Sequence, residues 1–173
     1  MKAIALCLLV LPNVACQALL KAVKDNNPSM INIAIKSGDK VNAMSADGDS
    51  VLMMAVRHGK HKAVKALLNA KADASIKDAA GMSVMQVAAE VGNQRSLLVL
   101  LTHGMDPNEK GPDGLRPIHR AVVKGHTDVV KALLNAEVPM DQPTGEGKLP
   151  LELTDDLAVK EVLKKFSRVK QDL

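Results

Sequence analysis

Aromatic residues are almost missing from the 173-residue chain, which has one Phe (Phe166), no Trp and no Tyr. A core must therefore be built from Leu, Val, Ala, Ile and Met. This disfavours an all-β sandwich or barrel, whose pleated faces draw on aromatic and β-branched residues. It also disfavours a site that stacks nucleobases on aromatic rings. Only two cysteines occur, Cys7 and Cys16, with no C-x-x-C spacing, so neither a zinc site nor a disulfide framework is expected. No apolar run approaches the roughly 20 residues that a membrane-spanning helix needs. Charge of one sign is not concentrated: 23 basic and 19 acidic residues are interspersed, for a net charge of +4. That pattern is a solvated surface and speaks against nucleic acid as a partner. What remains is 47% hydrophobic and 24% charged, a globular balance rich in helix-forming Ala and Leu.

The first residues, MKAIALCLLVLPNVA, place Lys2 before an uncharged apolar run, Ala3 to Leu11, followed by Pro12 and small residues. That order is expected of a signal peptide over residues 1–15, cut after Ala15 or Ala18. Two alternatives stay open. Asn13-Val14-Ala15-Cys16 resembles a bacterial lipoprotein box, with Cys16 as the lipidated residue, although Asn13 stands where Leu is usual. Or Met1 to Pro12 stays attached as an apolar cap helix.

From Cys16 onward the chain repeats. Gly48, Gly81, Gly114 and Gly147 recur every 33 residues. Ala55, Ala88 and Ala121 keep one place within the period, Gly59, Gly92 and Gly125 another, and Leu67-Leu68, Leu100-Leu101 and Leu133-Leu134 a third. Ser50 and Ser83 are placed to cap a first helix. The glycines that follow end it with positive φ. The second helix carries an i, i+3, i+4 apolar stripe such as Val129, Val130, Leu133 and Leu134. No unit can bury its stripe alone, so neighbouring units must stack.

Residues 114–134, Gly-Leu-Arg-Pro-Ile-His-Arg-Ala-Val-Val-Lys-Gly-His-Thr-Asp-Val-Val-Lys-Ala-Leu-Leu, resemble the ankyrin repeat family, and the likeness extends over residues 16–171. The resemblance implies an all-α solenoid of about five stacked helix-turn-helix units, starting near residues 16, 48, 81, 114 and 147, joined by β-hairpin loops. It implies structural hydrogen bonds for His119 and His126. Departures from the family pattern, among them Met53 and Gln86 for His and Lys71 and Glu137 for Gly, are expected to loosen their turns. The end units are expected to be caps with polar outer faces.

His58 and His61 have a metal-compatible spacing, but no Cys or carboxylate joins them in nearby sequence, and no hydrolase, zincin or phosphate-loop motif occurs. No catalytic residue, metal site or cofactor is expected. Family members usually bind partners with the hairpin tips and inner helix face. Carried over by position, that surface comprises Met44, Ala46, Asp49, Arg57, His58, Lys77, Ala80, Met82, Glu90, Val91, Lys110, Pro112, Leu115, Val123 and Lys124. Met82, Val91, Leu115 and Val123 are expected to form an apolar patch with a charged rim. The expected function is that of a monomeric, non-enzymatic module that grips a partner protein by its concave face. Its expected location is secreted or periplasmic, or on a membrane through Cys16. Two narrower readings remain: an inhibitor or immunity-type protein that masks an enzyme, and a metal or haem handler using His58, His61 or Met side chains.

Overall fold

The computed structural model of the protein describes residues 14–45 and 47–171. Most of the expected leader (residues 1–13, with Cys7), the Cys16 side chain and Ala46 lie outside the described residues. The helices are α1 (Val14–Lys24), α2 (Pro28–Lys36), α3 (Val51–Arg57), α4 (His61–Asn69), α5 (Val84–Glu90), α6 (Gln94–Thr102), α7 (Pro117–Val123), α8 (Thr127–Asn135) and α9 (Leu157–Gln171), with a 3-10 turn at Pro150–Leu153 before α9. They pair in order as five units. First helices pack on first helices (α1 on α3, α3 on α5, α5 on α7), and second helices on second helices (α2, α4, α6, α8, α9). The core runs the length of the stack as one cluster, from Leu19 and Ile31 through Leu67, Leu100 and Leu133 to Val159 and Leu163. Each half of a unit thus hides its apolar stripe between neighbours, as a solenoid requires.

Local chemistry explains the joints. Ser50 and Ser83 Oγ accept the N–H groups of Met53 (3.1 Å) and Gln86 (3.4 Å), capping α3 and α5. Gly92 has φ of +74°, and a Cβ there would meet the His126 ring at 2.7 Å. Glycine is therefore needed both for the turn and for the approach of the next unit. Asn26, Lys71 and Glu137 hold φ of 51°, 64° and 60° at turns where glycine would be unstrained.

The connecting loops are minimal β-hairpins, each closed by a three-residue turn with glycine at positive φ. Ser45, Asp78, Gly111 and Thr144 each donate their N–H to the carbonyl of the residue four later, at 2.8 to 3.0 Å. Their own carbonyls accept from Gly48, Gly81, Gly114 and Gly147, which explains the 33-residue glycine period. Among the described residues the only strand pairing is an isolated antiparallel bridge, Met44 with Ser50. The turns close so quickly that little ladder is left to form.

The outer faces are mixed rather than uniformly polar. Toward the C-terminus α9 exposes Glu161, Lys164, Lys165 and Arg168, but also Leu157 (81%), with Leu151 (40%) exposed before it. In the first unit α2 exposes Met30 (49%) and Ile33 (55%).

Candidate protein-binding face

One position repeats in each of the last four units, the third residue of the first helix or turn: Met53, Gln86, His119 and Glu152. His119 is fully buried. Its Nδ1 accepts the Arg116 N–H (3.1 Å), and its Nε2–H donates to the carbonyl of Gln142 on the next tip (2.9 Å). Burial, and secondarily the Arg116 charge, lower its pKa below the ordinary 6.5, against the raising effect of the bond to Gln142. The ring is thus held neutral as a bridge between tips. Gln86, expected to loosen this joint, instead reproduces it. Its Oε1 accepts the Ser83 N–H (3.1 Å) and its Nε2 donates to Glu109 O (3.1 Å). A primary amide offers the same acceptor and donor as a neutral imidazole, at similar reach. Glu152 keeps half of the pattern, accepting the Leu149 N–H at 2.7 Å. Met53 has no group to offer. His126 makes the expected structural bond, Nε2–H to Glu90 O at 2.9 Å.

The bridges fix the tips along the first helices, and together these form one face. Two arginines lock it further. Arg57 Nε reaches Asp49 (2.8 Å) and its Nη2 reaches Asp78 on the next tip (3.0 Å). The Asp49 hydrogen bond is the main cause that raises the Arg57 pKa. Arg120 pairs with Glu90 of the preceding unit and with Asp113 of its own tip, each at 2.8 Å. Lys77 pairs with Glu109 (2.9 Å), and Lys124 stands 3.8 Å from Glu90. So Asp49, Arg57, Lys77 and Glu90 direct their charge at partners within the chain. Sequence alone did not reveal Asp78, Asp113 and Arg120 as the other halves; Arg120 occupies an otherwise apolar position, shared with Met54 and Val87.

The apolar members divide. Met82 and Leu115 are half-buried, and Met82 packs against the core. Met44 (48%), Val91 (37%) and Val123 (52%) are exposed, Val91 capping α5 and Val123 ending α7. Lys110 and His58 are exposed. His58 and His61 line a polar cleft of about 450 Å³ with Lys60, Arg95 and Asp128. No group of three or more metal-ligating side chains occurs among the described residues. A second cleft, about 600 Å³, lies under the tips between Lys71, Asp73, Lys77, His103 and Glu109.

These units define a stacked helical repeat solenoid with a rigid face of tips and first helices. Comparison with known families agrees. A family model for three copies of ankyrin repeats matches residues 19–111, and one for a single ankyrin repeat matches residues 113–144. The chain belongs to the ankyrin repeat family. No curated protein matches the sequence. Repeats of this family are in general protein–protein interaction modules and are typically not enzymes.

Proposed function

We propose that the protein is an exported binding module that holds one partner protein against its tip-and-first-helix face and carries out no chemistry on it. The observation that supports this reading most is Val91 and Val123, left exposed at the ends of the adjacent helices α5 and α7, whose own charged residues Glu90 and Arg120 pair with each other. Burying such a pair at an interface gains apolar contact without stripping solvent from a free charge. Export rests on the order of Lys2, the Ala3 to Leu11 run and the small residues after Pro12. The destination is a periplasmic or secreted one, or a membrane reached through lipidated Cys16. Replacing Val91 and Val123 together by Ser should abolish partner capture, while thermal unfolding stays near that of the unaltered chain. Undiminished capture would remove this face from the account.

A further inference from the structure

The first unit ends the stack with an apolar face. Met30 aligns with Ala63, Ser96 and Val129, and Ile33 with Ala66, Val99 and Ala132. In the inner units those positions are buried or half-buried in the stack, and most of them are small. Ala18 of α1, aligned with buried Val51 and Val84, is exposed as well. So the largest apolar side chains of this series stand where, among the described residues, no further unit stacks on them. Lysines share the first unit with them. Residues 17–44 hold Lys21, Lys24, Lys36 and Lys40, all exposed, against only Asp25 and Asp39. One of these acids is engaged, since Asp39 Oδ2 accepts the Leu19 N–H at 2.9 Å. Lys21 shares the stack-end position of Met54 and Val87, and Lys36 lies one turn beyond Ile33 on α2.

We propose that this end face docks on an anionic lipid bilayer, with Met30 and Ile33 entering the headgroup boundary and the lysines resting on its negative charge. Charge decides between occupants. A second copy docking through the same face would set Lys21 and Lys36 against their own counterparts, a like-charged contact. An anionic bilayer matches both the apolar and the cationic parts. Position agrees, because the apolar Ala3 to Leu11 run lies just before α1 in sequence and Cys16 falls in the first turn of α1. A single acyl chain binds a bilayer only marginally, and an apolar, basic face next to it supplies the second attachment. No described helix is long and apolar enough to cross a membrane, so the contact is peripheral.

The test uses the full chain and vesicles of phosphatidylcholine with or without phosphatidylglycerol, with flotation as the readout. Binding to the anionic vesicles should weaken with added salt. It should fall about tenfold or more in the Met30→Ser, Ile33→Ser double variant, and similarly in Lys21→Glu, Lys36→Glu. These side chains are exposed, so unfolding temperature should hardly move. Flotation unchanged by either variant would overturn the proposal in favour of the preceding segment as sole attachment. Absent flotation overturns it too, and concentration-dependent self-association lost in the Met30→Ser, Ile33→Ser variant would then assign the face to a second copy. Neither result bears on capture through Val91 and Val123.

Discussion

Replacing His119 by Ala should remove both halves of the bridge between the fourth unit and the last. The ring is fully buried, and two backbone groups lose their partners, the Arg116 N–H and the Gln142 carbonyl. Each net hydrogen bond is worth about 1 kcal/mol, and a buried group left unsatisfied costs more. Both residues are half-buried, so water can partly replace the ring. With the cavity added, the expected loss is about 3 kcal/mol. For a chain of this size that lowers Tm by about 6–12 °C. His119→Gln should behave differently, because Gln86 makes the same two bonds to the equivalent groups, Ser83 N–H and Glu109 O. Its expected cost is under about 1 kcal/mol. Thermal and urea unfolding of the two variants at pH 7.5 measure this directly. Equal destabilisation by Gln and Ala would refute the bridging argument, since packing volume and not hydrogen bonding would then decide.

The same ring sets a pH response. Its folded pKa lies below 6.5, so on acidification the unfolded chain takes up a proton that the folded chain resists. The stability this group contributes is complete above about pH 6.5 and is lost as pH falls toward the folded pKa. His119→Gln should flatten that limb in unfolding titrations, and an unaltered slope would contradict it. At the strained turns, Lys71→Gly and Glu137→Gly should each stabilise slightly, by about 0.5 kcal/mol, as relief of positive φ outweighs the greater freedom of unfolded glycine. Both residues are exposed, so no packing is lost; a lowered Tm in either variant would count against the strain.

The stack was legible because its signals are local and periodic. Glycines at 33-residue spacing and Leu pairs at fixed offsets follow from turns and stripes that repeat unchanged. The substitution Gln86 misled because family patterns record residue names, whereas the joint needs one acceptor and one donor at a given reach. The ion pairs of Arg57 and Arg120 were hidden because they join residues 21 and 30 positions apart in different units, with no periodic mark. The apolar end face was masked by the same regularity. Met30 and Ile33 carry no mark in the sequence that sets them apart, and only the structure places them at the end of the described stack. Among the binding positions, Met82 and Leu115 read like Val91 and Val123, and only packing separates the half-buried pair from the exposed one.

The central claim is that one face, made of tips and first helices, grips a partner protein. Its most direct measurement is photo-crosslinking in cells, with a photoreactive residue placed at Val123 on α7 or at exposed Leu98 on α6. The account predicts a discrete protein adduct from position 123 and none from position 98. Adducts from position 98 alone, or the same adduct from both, would contradict it.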